Sequence, residues 1–184
     1  MPIFFNINLF LKEEIDHQAY SIVAIAPFFT YPMGIYSKKL KQLSELKPNA
    51  IVAIPNDPSN EARALLLLQK AGLIQLNSQT SSFLTPQSIQ TNPKHLQFKE
   101  LDAAQLPRAL PDVSCAVINM NYALLANLSL KKDALFSEDK HSIYTNLLVV
   151  KEKDKTDPRL QRLILALHSP RLKSRCRVTH RKTY

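Results

Sequence analysis

Residues 51–72, IVAIPNDPSNEARALLLLQKAG, constrain the fold more than any other stretch, because they spell out one complete strand–turn–helix unit. Ile51-Val52-Ala53-Ile54 is a short apolar run suited to a buried strand. Pro55 ends that run, and Asn56-Asp57-Pro58 sets a turn. Asp57 is placed to cap a helix, and Pro58 suits its first position, where a missing N–H loses nothing. Leu65 to Leu68 give the helix a nearly all-round apolar body that other elements must cover, and Gly72 is its natural stop.

The start of that helix is also where a ligand would be met. Unpaired backbone N–H groups and the positive end of the dipole favour an anion there. Asn60 and Arg63 are three apart and share a helix face, and an arginine fork beside a helix start can hold a carboxylate by two parallel hydrogen bonds. A plainer role is open to the same pair: Arg63 as half of a structural ion pair, Asn60 as an aid to the cap. Spacing alone favours the plainer role.

With 184 residues, 45% of them hydrophobic and 21% charged, the chain can bury a real core as one domain or as two small lobes. The net charge of +9 is concentrated: Arg171, Lys173, Arg175, Arg177, Arg181 and Lys182 stand in the last fourteen residues with no acid among them. No basic stripe interleaved with aromatics runs through the body. Nucleic-acid binding would therefore belong to the tail, and a charge run at a terminus is more often a solvated end. Cys115 and Cys176 form no CxxC and no metal spacing, and Cys115, inside an apolar run, reads as a free buried thiol. No apolar run reaches the roughly 18 residues needed to span a membrane.

Along the chain, Ile3, Ile7, Phe10 and Leu11 suit an amphipathic helix over residues 5–18. A buried strand is expected at 20–26, an aromatic-rich extended crossing at 27–36, and a short polar helix or turn at 38–46. Beyond the central unit the reading is a polar connector at 75–93 with a short helix near Pro86, and a strand at 95–101. A short helix at 102–110, a buried strand at 115–119, a helix at 121–128 and a strand at 143–150 follow. Asp157-Pro158 opens a last helix through Leu167. Strands and helices alternate, which implies an α/β fold with a mostly parallel sheet and ligands beyond the carboxyl ends of its strands. Asn56 follows one such strand and Asn119 ends another.

Catalytic chemistry is hard to find. Two glycines exclude a glycine-rich phosphate cradle. His17, His95, His141, His168 and His180 are scattered without HExxH or paired carboxylates, and no GxSxG occurs. Neutral amides, one arginine at a helix start and several aromatics are the inventory of a small-molecule binding site, so no enzyme activity, metal or cofactor is expected.

Taken together, FFTYPMGIYSKK (28–39), VAIPNDPSNEARALLLLQKAGLI (52–74), LDAAQLPRAL (101–110), AVINMNYA (116–123) and EDKHSIYTNLL (138–148) resemble the NlpA/MetQ family of methionine-binding lipoproteins that serve bacterial ABC importers. The resemblance covers about residues 4–170. It implies a two-lobe α/β fold of the periplasmic-binding-protein type II class, closing around methionine or a related amino acid. Residues 1–27 with 151–184 would form lobe one, 28–36 and 143–150 the hinge crossings, and 37–142 lobe two. In the family the residue matching Arg63 holds the ligand carboxylate, those matching Asn60, Asn119 and Asn146 hydrogen-bond the amino acid, and lobe-one aromatics sandwich the thioether. Phe5 and Phe10 fall at such lobe-one ligand positions. The family places a histidine where Ile7 stands and a tyrosine where Phe10 stands, which implies a relaxed ligand preference. A monomer working with an importer permease is the implied partnership.

Family members carry a signal peptide, a lipid-bearing cysteine and a first strand–helix–strand before the point matching Phe4. The opening MPIFFNINLFLKEEIDHQAY has no basic leader, cleavage site or lipid-acceptor cysteine, which leaves export without its usual signals. Lobe one, short of that unit, is expected to be frayed while lobe two folds. Each large apolar side chain left exposed forgoes about 1.5–3 kcal/mol, against a total stability of about 5–15 kcal/mol. A remnant without a transport role is the alternative that follows.

Overall fold

The computed structural model describes residues 21–77, 84–139 and 144–170, and the chain divides into two compact units, Pro32–Asp139 and Met1–Tyr31 with Lys140–Tyr184. The expected helix over residues 5–18 lies outside the described residues.

In the second unit β1 (Ile22–Thr30) pairs antiparallel with the later strand β9 (Thr145–Lys151), with Val23 opposite Val150 and Pro27 opposite Leu147. Both strands fall where the β-branched runs place them, β1 extending four residues further than read. A helix, Pro158–Leu167, starts at Asp157, whose carboxylate accepts from the backbone N–H of Arg159 at 2.8 Å. Near its end a ring nitrogen of His168 lies 2.9 Å from the carbonyl oxygen of Pro27.

The Pro32–Asp139 unit holds a five-stranded sheet. Its first strand, β2 (Met33–Tyr36), comes from the stretch read as a crossing. Only a single turn of 3-10 helix, Leu43–Glu45, stands before β3 (Ile51–Pro55). Helix α1 (Pro58–Lys70) follows as expected, with Asp57 accepting from the backbone N–H of Asn60 and Gly72 taking a φ of +73° just past its end. The segment read as a plain connector is more ordered than its polar composition implies. β4 (Gln75–Leu76) and β5 (Ile89–Thr91) pair as a small antiparallel ribbon beside a 3-10 turn, Pro86–Ser88, closed by a Thr85/Ser88 capping box.

β6 (Gln97–Leu101) then lies parallel to β3, Ile51 opposite Gln97. The helix expected over 102–110 shortens to α2 (Leu106–Ala109), because the Asp102 carboxylate takes the backbone N–H of Ala104 and holds the start in a turn. β7 (Cys115–Asn119) lies on the other side of β3, α3 (Met120–Leu125) follows, and β8 (Ala134–Ser137) closes the sheet. The last helix among the described residues, Pro158–Leu167, is α4.

The sheet order is β6-β3-β7-β2-β8. β2 pairs antiparallel with both β7 and β8, so it alone runs against the other four strands. The mostly parallel sheet read from the alternation of strands and helices is thus corrected to a mixed one. The strand that reverses it enters from before the central unit, and β8 is too short to signal itself.

Period-two alternation sorts the sheet into two apolar layers. Val52, Ile54, Met33, Ile35, Cys115 and Val117 pack with Ala64, Leu65, Leu67 and Leu68 of α1, while Ala53, Ala116, Ile118 and Tyr36 pack with Leu106, Leu110 and Ala123 on the opposite face. Gly34 is needed for that second layer: a Cβ there would fall 2.8 Å from Leu130 Cδ1 and 2.9 Å from Tyr36 Cε2. Among the described residues every buried apolar side chain lies between Met33 and Ala123, and none in α4 is buried.

Cys115 is fully buried and free, and burial pushes its thiol up to about 12. In a Cys176→Ser variant, a thiol reagent at neutral pH should label Cys115 only at the rate at which the sheet opens, and quickly once denaturant is added. Rapid native labelling would mean that β7 is accessible.

Candidate functional site

The carboxyl ends of β3, β7 and β8 share one edge of the sheet. Because β2 runs against them, its first residue, Met33, sits at that edge too, paired with Asn119 at the end of β7. The amino-terminal turn of α1 stands over this edge, and that convergence gathers the site.

Asp57 organises the turn. Its carboxylate accepts from the backbone N–H of Asn60 at 3.0 Å and from the Asn60 side-chain amide at 3.0 and 3.1 Å. Held this way, Asn60 presents its Oδ1 to the Asn119 amide, which donates to it at 2.7 Å. Asn119 spends its donor inward, and its Oδ1 is buried with no hydrogen-bond partner among the described residues. An orphaned acceptor of this kind costs stability unless something donates to it.

Arg63, one turn further along α1, aims at the opposite end of the sheet from β6. Its Nε donates to Glu138 Oε1 at 2.6 Å and its Nη2 to Oε2 at 2.5 Å, a side-on fork. Met33 fixes the acid from below: its backbone N–H donates to Glu138 Oε2 at 2.9 Å, and the Glu138 N–H donates back to the Met33 carbonyl. Both partners are nearly buried, with 9% and 10% of their side chains exposed. The plain ion-pair role is therefore present here, and so is the cap-supporting role of Asn60. Glu138 was not read as a site residue. It lies 75 residues from Arg63, just past a four-residue strand, and no local pattern marks it.

Glu61 sits between Asn60 and Arg63 on α1, 6% exposed, with its Oε1 unpartnered among the described residues. Burial, then the neighbouring carboxylates of Glu100 and Asp57, push it up to about 7. Read from the sequence it is one more charge on a helix surface. The structure buries it.

Of the expected ligand residues, then, Asn60 and Asn119 touch, and Arg63 lies one turn beyond Asn60 on α1. Asn146 lies on β9 in the other unit, where it is exposed. Phe5 and Phe10 lie outside the described residues. Among the described residues no group of three or more His, Cys, Asp or Glu side chains could hold a metal, and no helix is long and apolar enough to cross a membrane. An arginine, two amides and a helix start suit a small zwitterion better than a reaction.

Residues 3–183 match the model of the family described as NlpA lipoprotein. The D-methionine-binding lipoprotein MetQ of Salmonella typhi is 44% identical over 162 residues, covering 87% of this chain. Among solved structures, a periplasmic substrate-binding protein of an ABC transporter from Coxiella burnetii is 50% identical with a TM-score of 0.87, over 95% of this chain and 73% of that one. A nutrient-binding protein from Burkholderia cenocepacia, bound to methionine, is 48% identical with a TM-score of 0.86, over 90% of this chain and 70% of that one. The chain spans 58% to 60% of the length of the first curated relatives it matches.

Proposed function

The chain belongs to the NlpA lipoprotein family, and on that premise we propose that it is the substrate-binding component of an ABC importer for methionine, D or L, or a related amino acid. The observation that carries this reading is the buried, unpartnered Oδ1 of Asn119 at the carboxyl edge of the sheet. An amino acid's ammonium group supplies the donor that this acceptor lacks. Its carboxylate suits the positive end of α1 and the positive charge of the Arg63 guanidinium. Asn60, Asn146, Phe5 and Phe10 are the further ligand residues in this reading. The protein binds its ligand without transforming it, as a monomer beside the permease at the membrane surface, facing the periplasm as a lipoprotein of its family would.

One observation favours a second reading. Buried apolar residues among those described are confined to the Pro32–Asp139 unit, which is what a remnant lacking transport function would retain.

Thermal unfolding with and without millimolar L-methionine separates the two. Ligand at about a hundred times its dissociation constant should add about 2.7 kcal/mol, and Arg63→Ala should abolish the gain. A transition indifferent to both enantiomers of methionine would leave the second reading standing.

A further inference from the structure

Glu61 is a buried acid that the proposed ligand contacts leave unused. A carboxylate oxygen without a donor loses its hydration and regains nothing, whereas a protonated carboxyl loses far less. The charged groups that face it make ionisation harder still. Asp57 stands at the cap of its own helix, and Glu100 stands on β6. β3 brings no titratable group and β7 only the thiol of Cys115. Lys99 precedes Glu100 on β6 and so points to the other face, and the guanidinium of Arg63 is turned to Glu138. The helix dipole alone would favour an ionised acid here, but only modestly. Burial beside two other acids outweighs it.

We propose that Glu61 is a proton-operated switch on the first turn of α1: neutral, it leaves the turn able to hold an anion, and ionised, it loosens the turn and repels the anion. The route to the ligand groups is short. Asp57, which a charged Glu61 would repel, is the residue that orients Asn60 against Asn119. Coupling is reciprocal, so an anion bound at the turn raises the proton affinity of Glu61. One pKa unit of that coupling corresponds to about a tenfold change in affinity. The ligand half of the proposal rests on the function proposed above, and the stability half does not.

The test compares the full chain with Glu61→Gln. The carboxyl sits at about 7 in the folded chain against 4.5 for the ordinary group, so the folded state holds a proton that the unfolded state has released between those values. The wild-type Tm should therefore fall, relative to Glu61→Gln, as pH rises through that window, and run parallel to it above. Histidine titrations are common to both chains and cancel. Glu100 is exposed, so Glu100→Gln provides a second variant that should fold regardless, and it should move the upper end of the decline to lower pH. Parallel profiles in all three chains would overturn the switch.

For the ligand half, one pKa unit of coupling on a carboxyl at about 7 should make the affinity for L-methionine, read by calorimetric titration, about fivefold weaker at about pH 8 than at about pH 6 in wild type, with no such change in Glu61→Gln. Equal wild-type affinities at the two pH values would overturn the coupling. Absence of binding at either pH would defeat the function reading and the ligand half with it, while the Tm profiles decide the switch by themselves.

Discussion

Glu138→Ala should destabilise the Pro32–Asp139 unit by about 3–5 kcal/mol, the range for removing one partner of a buried ion pair. The fork to Arg63 is side-on and nearly buried, and the same carboxylate also accepts from the Met33 backbone. Losing it removes the anchor of the first residue of β2 and leaves a buried guanidinium without its carboxylate. Glu138→Gln keeps an acceptor for Met33 and should cost less. In a double-mutant cycle with Arg63→Met, the pair of substitutions should cost well under the sum of the two singles, since an apolar replacement leaves no buried charge behind. The exposed Lys155–Glu152 pair is the internal contrast, and its removal should pass almost unnoticed in a denaturant melt. Additive costs at positions 63 and 138 would mean that the fork contributes nothing beyond its separate parts.

Leu65→Ala should cost about 2–5 kcal/mol, a large share of the roughly 5–15 kcal/mol that holds a domain of ordinary stability. Leu65 is fully buried on α1, facing the layer built by Val52, Ile54, Ile35 and Val117. Nothing on a helix pinned at its start by Asp57 and at its end by Gly72 can move far to refill the space. Leu125→Ala provides the comparison: that side chain is 82% exposed, and its loss should change stability by no more than about 0.5 kcal/mol. Urea melts followed by circular dichroism would check both, with a lower midpoint and an unchanged slope expected for Leu65→Ala. A small effect there would show that the α1 layer is loosely packed.

The residues that could be read in advance are those whose causes are local. Asp57, Pro58 and Gly72 fix the ends of α1 through their own chemistry, Asp157 and Pro158 do the same for α4, and the apolar runs at 51–54 and 115–119 are strands because both faces of the sheet are covered. What escaped depends on partners far along the chain. β8 is four half-buried residues whose only reason to be a strand is the edge of β2, and β4 and β5 are defined by each other. The direction of β2 is invisible from its own sequence, and with it the mixed character of the sheet.

The site divides the same way. Asn60, Arg63 and Asn119 could be named because a helix start and a strand end announce themselves. The acid that orients Arg63 and the burial of Glu61 could not, since both follow from which strand lies beside which. Arg63 had two open roles on spacing alone, and its fork on Glu138 is the structural pairing of the two.

The reversed strand β2 also bears on how the chain reaches its fold. β2 is made early but sits between strands made late, with Met33 tied to a carboxylate 105 residues away. On a ribosome the β3–α1–β6–β7 segment can collapse as it emerges, while β2 must wait, exposed and fully apolar, until β7 and then β8 are available to clasp it. Closure of so long a loop raises the entropic barrier to the final step and slows it relative to the local α/β pairing. Until β8 and Glu138 have left the exit tunnel, the sheet has an open edge along β2, and the nascent chain is most exposed to aggregation in that interval.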